Sequence, residues 1–157
     1  MGWMKGGTPL IEIRPYQDDD LLSLADLMSD LGYPTPPESL KHRMDIMQRL
    51  PLYYTFVATI DSEVVGMIGC REVYFYEGDG MAVQISALVT RSKYQGQGVG
   101  KAMVSFVERW AKEKGATVIH LTSGNRPERE RAHHFYKKMG FDITGYRFVK
   151  NMGGQSS

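Results

Sequence analysis

Along this chain apolar residues recur at every second position in some stretches and at every third or fourth in others. Each switch of period marks a change of element. Leu10 to Arg14 alternates and predicts a strand. Asp18, Asp19 and Asp20 follow, carboxylates suited to the positive end of a helix. Leu21, Leu24, Ala25, Leu27, Met28 and Leu31 then share one helical face, and Gly32 ends that helix. Tyr33-Pro34-Thr35-Pro36-Pro37 is a stiff turn. Leu40, Met44, Met47 and Leu50 give a second helix that Pro51 stops. β-Branched and aromatic residues fill 53–60, Asp61-Ser62 turns the chain, and 63–76 reads as the hairpin partner. A second turn at Glu77-Gly78-Asp79-Gly80 leads to a strand over 81–90. Met103, Phe106, Val107, Trp110 and Ala111 return to helical spacing over 101–114, closed by Gly115. A short strand at 118–122, a helix over 128–139 closed by Gly140, and a last strand over 143–150 complete the pattern. The order β-α-α-β-β-β-α-β-α-β predicts an α/β (α+β) fold, a mixed sheet with helices on both faces. A single domain is expected over 9–152, with flexible tails at 1–8 and 153–157.

The chemistry concentrates where strand pattern gives way to helix pattern, at Tyr94-Gln95-Gly96-Gln97-Gly98-Val99-Gly100. Three glycines let a ligand reach the backbone with no Cβ in the way. A helix that starts there aims free N–H groups and partial positive charge at one spot, which suits a phosphate or pyrophosphate. The run is not a Walker A loop, since no Gly-Lys-Ser/Thr follows. Its glycines at 96, 98 and 100 also miss the G-x-G-x-x-G spacing of dinucleotide binders. A second motif lies downstream, from His120-Leu121-Thr122-Ser123-Gly124-Asn125 to Ala132-His133-His134-Phe135-Tyr136-Lys137-Lys138-Met139-Gly140-Phe141.

Together these segments resemble the GNAT family of N-acetyltransferases. Gln95, Gly98 and Gly100 fill the fixed positions of that family's Gln/Arg-x-x-Gly-x-Gly/Ala loop, and Ala-x-x-Phe-Tyr-x-x-x-Gly-Phe matches its last helix. The resemblance covers about residues 82 to 150. It implies a mostly antiparallel sheet of about six to seven strands in which the parallel strands at 82–90 and 118–122 splay apart. The cosubstrate would be acetyl-CoA. Its pyrophosphate would lie on Gln95, Gly96, Gln97, Gly98, Val99 and Gly100. Its pantetheine arm would bond backbone groups of Leu88, Val89 and Thr90, which a splay leaves without partners. Asn125 would bond the coenzyme arm or cap the next helix, since Asn125-x-x-Glu128 has capping-box spacing.

The same resemblance implies direct attack of a neutral primary amine on the thioester in a ternary complex. Tyr136 is the implied general acid, because a phenol with a pKa of about 10 is protonated at neutral pH. Its place in the apolar stripe Ala132, Phe135, Tyr136, Met139 fits a core residue as well. Many relatives carry a Glu on the strand before the glycine loop. Here Ser86 stands near that position and is read as the anchor of a water chain. Glu72 is a second base candidate, and His120, His133 and His134 are others. Tyr33, Tyr74 and Tyr76 are candidate walls of the acceptor site. The Leu-Thr-Ser-Gly, Ala-His-His-Phe-Tyr and Tyr146-Arg147-Phe148-Val149-Lys150 elements also look like aminoalkylphosphonate N-acetyltransferases. Arg126, Arg129 and Arg131 would then serve a phosphonate or the coenzyme's 3′-phosphate, but Glu128 and Glu130 interleave with them, which favours a solvated helix start. The family's common Asn, seven residues before the tyrosine, is Arg129 here. A coenzyme A-binding sensor or partner module without acetyl transfer, or a protein N-acetyltransferase, is the alternative.

Bulk properties narrow the setting. The 157 residues carry a formal net charge of +1, which does not point to nucleic acid. No apolar run approaches the roughly twenty residues of a membrane span, and the start of the chain lacks a signal-peptide stretch. The lone cysteine, Cys70, lies in an apolar strand pattern and has no internal disulfide partner. A cytoplasmic protein is expected, with no membrane and no nucleic acid; the resemblance implies a small-molecule amine as partner. His133 and His134 lack a third ligand at clear spacing, so no metal is expected. A homodimer is suggested by the resemblance alone, alongside a monomer.

Overall fold

A computed structural model describes residues 10–154. The expected flexible tail at 1–8 and the last residues, 155–157, lie outside them. The chain forms two compact units, one up to Leu121 and one from Thr122 onward.

The first unit is a five-stranded sheet in the order β1-β2-β3-β4-β5. The strands are β1 (Glu12–Pro15), β2 (Tyr53–Ile60), β3 (Glu63–Tyr74), β4 (Met81–Thr90) and β5 (Val118–Leu121). The first four pair antiparallel, and β4 pairs with β5 in parallel. Helices α1 (Leu21–Leu31) and α2 (Pro37–Arg49) connect β1 to β2, and α3 (Val99–Glu113) connects β4 to β5. Neighbouring strand residues point to opposite faces. Val57, Met67 and Val89 therefore meet Leu24, Leu27, Leu40 and Met44 of α1 and α2. Phe56 points the other way and meets Phe106 and Trp110 of α3 edge-on, at 4.9 and 5.5 Å between ring centres. The first helix entry is built from charge. Arg14 grips the buried Asp20 through two hydrogen bonds of 2.7 and 2.8 Å, and Asp20 also accepts from the backbone N–H of Gln17.

The second unit holds a 3₁₀ turn at Pro127–Arg129 and helix α4 (Glu130–Lys138). The last strand expected at 143–150 is not formed. Residues 141–152 make no strand, and Ile143, Tyr146, Phe148, Val149 and Met152 are exposed. Among the described residues the sheet therefore has five strands, fewer than the six to seven expected. Alternation records which faces a segment would bury, but a strand also needs a hydrogen-bonded ladder, and none forms along these residues.

Candidate active site

The loop between β4 and α3 is anchored before its glycines begin. Arg91 donates from Nε and Nη2 to the Val64 carbonyl at 3.2 and 3.0 Å. The backbone N–H of Ser92 bonds Asp30 on α1 at 3.1 Å, and the Tyr94 hydroxyl donates to Glu63 at 3.1 Å. Gly96 and Gly98 then take left-handed φ values of 80° and 87°, where a side chain is strained. No heavy atom lies within 4 Å of where a Cβ would stand on either one, so both face open space. Gln97 folds its amide back onto the Lys93 carbonyl at 3.3 Å, and the Gln95 N–H bonds the Ser92 carbonyl at 3.3 Å.

Helix α3 begins at Val99, two residues earlier than its apolar spacing suggests, which puts Gly100 in its first turn. Gly98 is the N-cap and no side chain caps the helix. The first intrahelical bond runs from Ala102 to the Gly98 carbonyl at 3.0 Å. The N–H groups of Val99, Gly100 and Lys101 are thus left for an outside acceptor. One residue that the sequence reading missed positions this end. A Cβ on Gly66 of β3 would lie 2.9 Å from Met103 Cε and 3.1 Å from both the Val89 carbonyl oxygen and Val99 Cγ1. Glycine there lets the start of α3 sit directly on the sheet; the available signal was a glycine inside a strand pattern.

Strand β4 is irregular beside this loop. β5 pairs with it from Ala82↔Val118 to Ile85↔Leu121 and no further. At the same level Cys70 of β3 faces Ile85 while Gly69 faces Ala87, so Ser86 is the extra residue of a bulge, and it is exposed. The Arg91 N–H bonds the Val65 carbonyl at 2.7 Å. With a period of two, Ala87 and Val89 then turn their backbone groups to β3, and Leu88 and Thr90 turn theirs away from it. Leu88 and Thr90 therefore offer backbone groups on the side where β5 has stopped pairing, and Val89 does not.

In the second unit Tyr136 lies on α4. A glycine cap holds it: the Gly140 N–H bonds the Lys137 carbonyl at 3.1 Å and the Phe141 N–H bonds the Tyr136 carbonyl at 3.0 Å. The accompanying apolar contact of such a cap is the Phe141 ring against Tyr136, 6.0 Å apart. Burial raises the Tyr136 phenol above its ordinary value, against a smaller opposite pull from Arg129, so it is held protonated. Asn125 caps neither the turn nor α4, whose N-cap positions are Arg126 and Arg129. Two residues before it, Ser123 Oγ is a buried polar atom with no partner among the described residues.

The base candidates are placed as follows. Glu72 faces α3, and its side chain is 8% exposed. Its oxygens take hydrogen bonds from the Tyr54 and Tyr74 hydroxyls at 3.1 and 3.4 Å and an ion pair with Lys114 at 3.3 Å. His120 lies on β5, where burial and then Arg71 hold its imidazole below the ordinary range. His133 Nε2 is bonded to the Gly124 carbonyl at 2.8 Å, and His134 is exposed. Tyr33, Tyr74 and Tyr76 are all exposed, the first just after α1, the second at the end of β3 and the third two residues beyond it. Among the described residues, no three His, Cys, Asp or Glu side chains are grouped to hold a metal ion. No helix among them is long and apolar enough to cross a membrane.

Comparison with known proteins gives the family. A model of the acetyltransferase (GNAT) family matches residues 21–141, and the chain belongs to that family. It is an N-acetyltransferase by class. It is 29% identical to the uncharacterized N-acetyltransferase YhdJ of Bacillus subtilis over 79% of this chain and 86% of that protein. It is 33% identical to rat N-acetyltransferase family 8 member 2 over 60% of this chain, and that match spans only 41% of the rat protein's length. An aminoalkylphosphonate N-acetyltransferase of Salmonella typhimurium is 29% identical over 60% of each chain. Among solved structures, a Staphylococcus aureus GNAT family acetyltransferase superposes with a TM-score of 0.78 at 26% identity, covering 90% of this chain and 98% of that one. An aminoglycoside N-acetyltransferase solved in complex with CoA gives a TM-score of 0.77 over 92% of this chain and 95% of that one. Its 18% identity makes that a likeness of fold.

Proposed function

We propose that this protein is a single-domain cytoplasmic enzyme that moves an acetyl group from acetyl-CoA to the primary amine of a small molecule. The reading rests above all on one juxtaposition. The uncapped N–H groups of Val99, Gly100 and Lys101 adjoin a strand whose Leu88 and Thr90 backbone groups face away from their ladder. The first set fits a pyrophosphate, and the second fits the amides of a pantetheine arm. Open space at Gly96 and Gly98 leaves room for the phosphate oxygens.

Acetyl-CoA would supply an acyl group activated as a thioester. The residues of this chain would do the rest. Tyr136, protonated by virtue of its burial, donates its hydroxyl proton to the departing sulfur. Ser86, exposed on the bulge, holds the water that takes the amine's proton, in place of a carboxylate. Glu72, with Tyr54, Tyr74 and Lys114 already on its oxygens, is the second candidate for that role. Asn125 steadies the coenzyme arm, and Tyr33, Tyr74 and Tyr76 are candidate contacts for the acceptor. The aminoalkylphosphonate N-acetyltransferase among its relatives supports a small-molecule acceptor.

The test is thiol release from acetyl-CoA across aminoalkylphosphonates, aminoglycosides, polyamines and amino acids, with coenzyme binding followed by calorimetry. Turnover with one amine class supports the reading and names the acceptor. Binding without turnover on any small amine points to a protein acceptor, and absence of coenzyme binding removes the proposal.

A further inference from the structure

One face of the sheet carries a polar row. Val57 and Met67 face α1 and α2. Side chains alternate along a strand, so Tyr53 of β2 and Arg71 of β3 face the same way. The ladders set Tyr53 opposite Arg71, Arg71 opposite Gln84 of β4, and Gln84 opposite His120 of β5. Residues directly opposite share a face, so these four side chains stand side by side across the sheet. All four are half-buried, and all belong to the unit that ends at Leu121. The flanking rows carry no charge: Thr55, Gly69 and Ala87 on one side, Val73, Ala82 and Val118 on the other.

Each member of the row has an N–H or O–H donor, and none is a carboxylate. Arg71 Nε donates to Gln84 Oε1 at 2.6 Å. That bond uses one of the five guanidinium donors and leaves the Gln84 amide nitrogen as another. None of the ion pairs among the described residues includes Arg71. Its terminal nitrogens are thus left to grip a planar oxyanion in two parallel bonds. His120 adds a second basic group. Burial and then Arg71 hold its imidazole below the ordinary range, which keeps it neutral with one N–H to donate. A half-buried guanidinium beside an imidazole, in a row without a carboxylate, is a charge arrangement that an anion completes. There is room next to it. Gly69 stands two residues from Arg71 along β3, about 7 Å away. A Cβ on Gly69 would meet nothing nearer than Ala87 Cβ and Met67 Cε, both at 3.9 Å. This open step lies at the level of the Ser86 bulge, just past the last β4–β5 pair, Ile85↔Leu121.

We propose that Arg71, Gln84 and His120 form an oxyanion-binding site, and that the acceptor is a short primary amine bearing a phosphonate or a carboxylate. The anion sits on the row, and a chain of two or three atoms carries the amine over Gly69 and Ala87 toward the bulge. The acceptor half of this inference rests on the acetyl-transfer reading; the anion site does not.

The first test needs no turnover. Methylphosphonate and acetate are titrated into the full chain while the His120 imidazole is followed by NMR. A saturable shift is expected in the wild type, with affinity lowered by about 10- to 100-fold in Arg71→Gln, the range for a hydrogen bond to a charged group. Arg71→Lys keeps the charge and loses the fork, so it should weaken methylphosphonate binding without abolishing it, and it serves if the glutamine variant fails to fold. The second test compares kcat/KM for 2-aminoethylphosphonate and β-alanine with that for the uncharged diethyl ester and amide. The acids should be preferred by about 10- to 100-fold, mostly through KM, and Arg71→Gln should erase that preference. Whichever acid leads names the anion. No saturable shift in the wild type, a shift that persists unweakened in a folded Arg71→Gln, or equal kcat/KM for acids and neutral counterparts would each overturn the proposal. Anion binding in a chain that binds no coenzyme would uphold the site and remove the acetyl-transfer reading. Turnover confined to uncharged amines would do the reverse.

Discussion

The proposed chemistry turns on Tyr136 and Gly98. Burial keeps the Tyr136 phenol protonated, so its loss should affect turnover more than binding. Tyr136→Phe is expected to lower kcat by about 10²-fold, the low end for a general acid, with coenzyme affinity unchanged in calorimetry. Unchanged turnover would return Tyr136 to the core. Gly98 has φ 87° with open space around it, so an alanine there meets no clash and pays only in backbone strain. Gly98→Ala should cost about 1–2 kcal/mol and weaken coenzyme binding. A loss of stability with affinity intact would separate the loop from the ligand. Glu72 offers the opposite contrast. Its ties to Tyr54, Tyr74 and Lys114 make Glu72→Gln a change of stability, by about 1–3 kcal/mol, with kcat kept within about threefold. A collapse of kcat, recovered at high pH, would identify it as the base.

At the level of elements, the start of α3 depends on what lies beneath it. Gly66 admits Met103 and Val99 against β3, and one of the atoms nearest a new Cβ is the Val89 carbonyl oxygen, which the ladder holds in place. Gly66→Ala should therefore lift the first turn of α3 and cost about 1–3 kcal/mol, as overpacked cores do. Coenzyme affinity, read by calorimetry, should fall with it. The α4 end has its own device, in which the Gly140 cap and the Phe141 ring fix the last turn around Tyr136. The periodicity of the chain located α3 and α4 within a turn or so. It did not show that α3 would start uncapped at Val99, because capping depends on which side chains the loop brings near.

For the molecule as a whole, pH sensitivity is set where β1 meets α1 and α2. The hydrogen bond from Arg14 holds the Asp20 carboxyl below its ordinary 3.8, against the cost of burial. A depressed carboxylate stabilises the fold fully above that value and loses its contribution as the pH falls below it. Burial, aided by Asp18, Asp20 and Asp45, pushes the Tyr16 phenol from 10.0 up to about 12. A raised phenol stabilises fully below 10.0 and loses its contribution as the pH rises toward 12. Urea unfolding against pH should give a plateau with an acid limb that Asp20→Asn removes and an alkaline limb that Tyr16→Phe removes. Cys70, buried in β3 and raised to about 12 by burial and then Glu72, should stay unreactive to thiol reagents at neutral pH until the protein unfolds.

The sequence by itself determined the order of elements and the place of the glycine loop, because both follow from local period and backbone freedom. Leu21 to Leu31 and Met103 to Ala111 bury the faces that their spacing announces. The tertiary structure alone decided what depends on neighbours distant in the chain. It made Ser86 a bulge residue, turned Leu88 and Thr90 but not Val89 away from β3, and occupied Glu72 with Tyr54 and Lys114. It also left 143–150 without a partner despite a pattern that reads as strand. Pattern records which faces a segment would bury, whereas pairing requires an edge, and an edge exists only once the rest of the sheet has formed.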